Sequence, residues 1–190
     1  MIVSSSLASA GAKIFVTKQV PDPLPEADFK DVENYYQLLS DAKTDNKQVL
    51  VVMRDEYGHL GFGAGKIDKI EFESEKRVPA IKASFLKSEN KSKDELRDEL
   101  KKVSNRALLA FSDVFIKNGL LSPQDVAKLL FDKAIRLSDF SYGPFHDGVM
   151  VMMSFSEDDL IEHEKQKSIQ MDSWVTTWRK PGVIMHEQKP

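Results

Sequence analysis

Apolar residues along this chain follow two rhythms, one of period two and one of period three to four, and the switches between them predict an order of strands and helices. Ile14, Phe15, Val16 and Val20 mark a strand over residues 13–20. Pro21, Pro23 and Pro25 then remove backbone donors and hold the next segment extended. Asp28 offers an N-cap, and Val32, Tyr35, Leu39 and Ala42 share one helical face, which predicts a helix over about 29–43. Val49 to Met53 is an unbroken apolar run of strand length, the pattern of a strand covered on both faces.

Strict alternation follows. Asp55-Glu56-Tyr57-Gly58 signals a turn, after which Leu60, Phe62 and Ala64 alternate with Gly61, Gly63 and Gly65. One face of that strand therefore carries almost no side chains, a sign of close approach by another backbone or a helix. Ile70 and Phe72 continue the alternation, and Ile81, Ala83 and Phe85 repeat it. Residues 48–86 are predicted to form an antiparallel meander of three or four strands.

The rhythm changes again at Ser92, which with Glu95 makes a capping box. Leu96, Leu100, Val103, Ala107, Phe111 and Val114 recur at helical spacing until Asn118-Gly119 ends the run. Ser122-Pro123 starts a second helix whose apolar face is Val126, Leu129, Leu130, Ala134 and Leu137, so that 93–137 reads as a helical hairpin. Ser141-Tyr142-Gly143-Pro144 breaks it, and Val149 to Met153 predicts another strand buried on both faces. Ser156 caps a short acidic helix with a thin apolar stripe of Leu160, Ile161 and Ile169.

These elements predict an α+β fold: a mostly antiparallel sheet from 13–20, 48–86 and 148–155, covered on one face by the helical hairpin. Residues 13–171 are expected to form a single α+β domain, with a flexible arm at 1–12 and an aromatic tail at 172–190. Ala8-Ser9-Ala10 has the outline of a signal-peptidase site, but no Lys or Arg precedes it and its apolar run is only Ile2-Val3. The tail carries Trp174, Val175, Trp178, Val183, Ile184 and Met185. Burying such side chains is worth about 1.5 to 3 kcal/mol each, so the tail is expected to pack on the domain or on a partner.

Composition narrows the classes. With 27 Lys and Arg against 30 Asp and Glu the net charge is -3, which excludes a chain organised mainly around neutralising phosphates. No stretch approaches the roughly 20 apolar residues that cross a bilayer. Zero cysteines exclude disulfides, thiolate metal sites and cysteine nucleophiles. The cytoplasm is the expected setting by default.

The candidate chemistry is sparse. Gly58 to Lys66 is rich in glycine, yet Leu60 and Ile67 break the phosphate-loop pattern and Lys66 stands where a dinucleotide fingerprint needs glycine. Val51 to Lys66 also resembles the first hairpin of a small-subunit ribosomal protein family whose N-terminal domain has a double-stranded-RNA-binding-like fold, through the order of Asp55, Gly58, Gly61-Phe62-Gly63 and Gly65-Lys66. The resemblance spans sixteen residues of 190. It implies an RNA-binding module with Arg54, His59 and Lys66 facing RNA and a helix soon after Lys66, where alternation from Ile70 to Phe85 predicts more strand.

The densest basic cluster, Lys87 to Arg106, is interleaved with five acids and reads as a solvated helix face. His59, His146, His163 and His186 have no helical pairing suited to a metal, and Glu71, Glu73 and Glu75 read as a solvated strand face. No metal, cofactor or catalytic set is expected, His146 with Asp147 being the place to look if the protein is an enzyme of unrecognised type. Met150, Met152 and Met153 read first as a core strand and second as an adaptable surface. The leading expectation is a non-catalytic assembly or adaptor protein, self-associating through Trp174, Trp178, Val183, Ile184 and Met185.

Overall fold

The computed structural model describes residues 13–17, 26–55, 57–73, 80–131, 135–142 and 148–178. In chain order they form β1 (Lys13–Thr17), α1 (Glu26–Thr44), β2 (Gln48–Asp55), β3 (Leu60–Glu73), β4 (Ala80–Phe85), α2 (Lys93–Lys117), α3 (Pro123–Phe131), β5 (Ile135–Arg136), β6 (Asp139–Tyr142), β7 (Gly148–Phe155) and α4 (Glu157–Trp178). The strands build one sheet in the order β1-β7-β2-β3-β4-β6, with β5 on β3. Every pairing is antiparallel except β3 with β5. The fold is α+β.

β2 and β7 lie side by side at the centre, with Val51 opposite Met152. Their residues point alternately to two apolar layers, which is why both runs are apolar without interruption. Leu50, Val52, Val151 and Met153 meet Ala107, Leu108, Phe111 and Phe115 of α2, Leu129 of α3 and Leu160 of α4. Val49, Val51, Met150 and Met152 meet Tyr35, Leu38, Leu39 and Ala42 of α1. The methionine run is thus core. The helical hairpin covers one face as expected, α4 lies on the same side, and α1 covers the other.

Three helices start with the same device. Ser92 and Glu95 cap α2 reciprocally, and Ser122 with Asp125 and Ser156 with Asp159 do the same for α3 and α4, each side-chain oxygen accepting the other residue's backbone N–H at 2.8 to 3.3 Å. These exchanges satisfy donors that a helix N-terminus otherwise leaves unpaired.

Several boundaries differ from the pattern. β1 is described over 13–17, and 18–20 lie outside the described residues. α1 begins at Glu26, so Asp28 falls inside its first turn and not at its cap. The second helix of the hairpin ends at Phe131, because Ile135 and Arg136 pair in parallel with Gly61 and Phe62 of β3. Tertiary pairing overrides the helical spacing that extends to Leu137. β3 also breaks its own alternation: Ile67 faces Phe85 and Lys69 faces Ser84, leaving Asp68 as a bulge. Phe62 and Ala64 serve the α2 layer and Ile67 the α1 layer by simple alternation, and the bulge puts Ile70 on the α1 side as well. Finally, the helix after Ser156 is not short but runs 22 residues, carrying the backbone of Trp174 and Trp178 within it. The arm 1–12 lies outside the described residues.

Candidate functional site

β3 pairs with β2 along its inner edge from Leu60 to Lys66, but its outer edge changes partner. β5 occupies it at Gly61 and Phe62, and β4 only from Ile67 onward. In the seam between, side chains and connecting backbone replace the missing ladder. The Ala64 N–H donates to the buried Ser104 Oγ of α2 at 2.9 Å, and that hydroxyl donates to the Leu100 carbonyl at 2.5 Å. The Leu86 N–H donates to the Lys66 carbonyl at 2.7 Å, and the Leu137 N–H to that of Phe62 at 2.9 Å.

The glycines make this close approach feasible. A Cβ at Gly63 would stand 2.5 Å from the Leu137 carbonyl oxygen, and one at Gly65 would press the Phe85 ring at 3.3 Å. Phe85 fills the volume that side chains on β3 would have taken, and packs at a tilt against Phe140 with 5.2 Å between ring centres. Leu100 of α2 reaches the same seam and packs against the α1 layer, although its helix lies on the opposite face.

Over the seam lies a pocket of about 260 Å³ lined by Ala64, Gly65, Phe85, Leu86, Leu96, Leu100 and Val103, with Gln48, Lys66 and Glu99 at its polar margin. Leu86 is 60% exposed, so one apolar wall stands in solvent. Glu99 is paired with Lys91, and the Gln48 amide donates to Glu157 at 2.7 Å. Lys66 is exposed and has no ion pair among the described residues. The pocket thus offers an apolar floor with Lys66 and the Lys91-paired Glu99 at its margin.

Of the three residues implied by the ribosomal resemblance, Arg54 and His59 share the turn end of the hairpin, and Lys66 lies away from both. Arg54 pairs across the ladder with Leu60 and Lys66 with Gln48, at opposite ends of the β2–β3 pairing. Six residues of strand separate them by about 20 Å. Arg54 is held by Asp125 at 2.8 Å, and His59 Nδ1 lies 2.9 Å from Asp55 Oδ2. No helix follows Lys66, since β3 continues to Glu73.

Both acids hold their protons weakly. Burial works to raise the Asp125 carboxyl, but the Ser122 N–H and hydroxyl, with Arg54, outweigh it and leave it below the usual carboxylate range. At Asp55 desolvation is likewise overcome by hydrogen bonds and charge from His59 and by the Tyr57 N–H. Both carboxylates order local structure: Asp55 knits the hairpin loop through the N–H groups of Tyr57 and His59, at 2.9 and 2.7 Å.

Trp174 and Trp178 lie in the last turns of α4, where the structure describes the backbone alone, and Val183, Ile184, Met185, His186, His146 and Asp147 lie outside the described residues. His163 packs at a tilt against Phe111 with 4.7 Å between ring centres, and its Nδ1 lies 2.9 Å from the Asp159 carbonyl, which gives it a packing role. Glu71 pairs with Lys69, and among the described residues no three His, Asp or Glu side chains gather as metal ligands. In the basic cluster Lys91 pairs with Glu99 and Arg97 with Asp94, but Arg106 turns to α4 instead.

The pocket itself escaped the sequence reading. Its one sequence signal was the bare glycine face, which pointed to close approach without saying what would line the opening. No protein family, curated protein or solved structure matches this chain.

Proposed function

We propose that this chain is a non-catalytic assembly or adaptor protein that acts in the cytoplasm through protein–protein contacts and associates with itself. The observation that supports this reading is the pocket over Gly65, apolar in its floor and bounded by the exposed Leu86. At about 260 Å³ it is smaller than the roughly 300–1,000 Å³ of typical small-molecule sites, and its size suits aliphatic anchors of a protein segment. Among the described residues no helix is long and apolar enough to cross a membrane.

Light scattering across a concentration series tests the reading on the full chain and on Leu86→Asp. Leu86 is exposed, so the variant keeps its Tm while its association is lost. A full chain that stays monomeric at every concentration overturns the proposal.

A further inference from the structure

A Schellman turn closes the end of α2. Gly119, at φ +68°, stands just past the helix, where its N–H donates to the Ile116 carbonyl at 3.0 Å and the Leu120 N–H donates to that of Phe115 at 2.9 Å. Leu120 packs against the α2 layer, the apolar contact that accompanies this motif. Asn118 donates from both its backbone N–H and its side-chain Nδ2 to the Val114 carbonyl, at 3.2 and 2.7 Å. It is exposed, and no other asparagine of the chain is followed by glycine.

That neighbour has a chemical consequence. Asparagine is among the residues that heat degrades, and a following residue without a Cβ leaves the backbone nitrogen unhindered in reaching the side-chain amide. We propose that Asn118 is a site of spontaneous deamidation, and that the turn at the end of α2 holds the reaction off while it is closed. The Gly119 nitrogen attacks Asn118 Cγ, the new N–Cγ bond forming as the Cγ–Nδ2 bond breaks. Nδ2 departs as ammonia with the proton that Gly119 gives up, and a cyclic imide remains. Water then adds to either imide carbonyl and opens the ring, leaving aspartate or isoaspartate at position 118.

The closed turn opposes each step. The attacking nitrogen is engaged with Ile116 and the leaving Nδ2 with Val114. Asn118 also sits at ψ 4°, from which it must rotate to bring the Gly119 nitrogen against Cγ. Fraying of the last turn of α2 releases all three restraints together. The product does not close the turn as before: aspartate exchanges a donor for a carboxylate at the negative end of the α2 dipole, and isoaspartate lengthens the backbone between the paired groups. Opening of α2 is thus recorded covalently, just ahead of Ser122, which caps α3 and through Asp125 meets Arg54.

The test follows the mass of the peptide carrying residue 118 in the full chain, incubated folded and in guanidinium chloride at one pH and temperature. When unfolded, Asn118 is expected to convert faster than every other asparagine. When folded, it is expected to convert at least about tenfold more slowly, because the hydrogen bonds of the turn must open first. Leu120→Ala keeps the Asn118-Gly119 pair and loosens its cover, so it should convert faster than the parent when folded and at the parent's rate when unfolded. Asn118→Asp, which carries the product, should show faster hydrogen exchange in the last turn of α2 and the first of α3, with β2 and β7 unchanged. Equal rates in the folded and unfolded parent overturn the protection by the turn, as does an unchanged folded rate in Leu120→Ala. If Leu120→Ala does not fold, the comparison within the parent decides alone. An unfolded Asn118 that converts no faster than the other asparagines removes the site, and unchanged exchange in Asn118→Asp removes the effect assigned to its product.

Discussion

α2 and α4 lie on the same face of the sheet and start with the same kind of capping box, yet they are held down by different forces. α2 buries Ser104, Ala107, Leu108, Ala110, Phe111, Ser112 and Phe115, and its Phe111 ring packs 4.8 Å from that of Phe155. α4, over Glu157 to Lys167, buries only Asp159 and Leu160. Over those residues the His163 ring packs against Phe111, and the other contacts with α2 are polar: Arg106 forks onto Glu164 at 2.7 and 2.9 Å and reaches Glu157 at 2.9 Å, while Lys167 holds the α2 backbone and Ser112. The Glu164 and Glu157 carboxylates push the Arg106 guanidinium further above its already high ordinary value. Apolar burial is indifferent to salt at this range, whereas half-exposed ion pairs are screened by it. One helix is part of the core, and the other is fastened to it.

The largest expected effect is at α2. Phe111→Ala removes a fully buried ring and should cost about 3–5 kcal/mol in urea unfolding, with loss of structure in both helices because they share that layer. A cost under about 1 kcal/mol would mean that α2 is no better anchored than α4. Next come the caps. Ser92→Ala and Ser156→Ala each remove one hydroxyl acceptor worth about 1 kcal/mol. Hydrogen exchange should show the Ser156 change as opening of α4 alone, whereas the Ser92 change frays only the first turn of α2. Equal, local fraying in both would erase the contrast.

Arg106→Gln should cost on the order of 1 kcal/mol or less at low salt. Its signature is specific: faster exchange along α4 with α2 unchanged, and a difference from the parent protein that vanishes as salt is raised. The smallest effect concerns acid. Because the Asp125 carboxyl is held below its ordinary range, near pH 3.9 when unfolded, its contribution is present above that pH and is lost as pH falls through the lower folded value. Urea midpoints measured from pH 5 to pH 2 should fall less steeply for Asp125→Asn. That loss belongs to the junction of α3 with Arg54, leaving the α2–α4 contrast intact.

The same contrast explains what could be read in the sequence. α2 was legible because burial writes a periodic stripe, from Leu96 to Val114, and because Ser92 and Glu95 stand three apart. α4 was read as short because ion pairs leave no such stripe: Arg106 is 51 and 58 residues from its two partners. The end of α3 was missed for a related reason, since the strand at Ile135 exists only where β3 lies beside it. The pocket depends on still more distant agreement between Gly65, Phe85 and Leu100. Glycines at alternate positions announced that something would come close, but a missing side chain does not name its neighbour.

The bulge at Asp68 has a consequence for how this chain tolerates changes in length. Counting Ile67 and Asp68 as a single step opposite Phe85 keeps Ile70 on the same side of the sheet as Ile67. Removing the exposed Asp68 would restore simple pairing without turning any downstream residue over. Loss of one residue at Ile67, Lys69 or Ile70 would also erase the bulge but take an inward-facing or register-setting side chain with it. β3 thus contains one spare residue, and it is the aspartate.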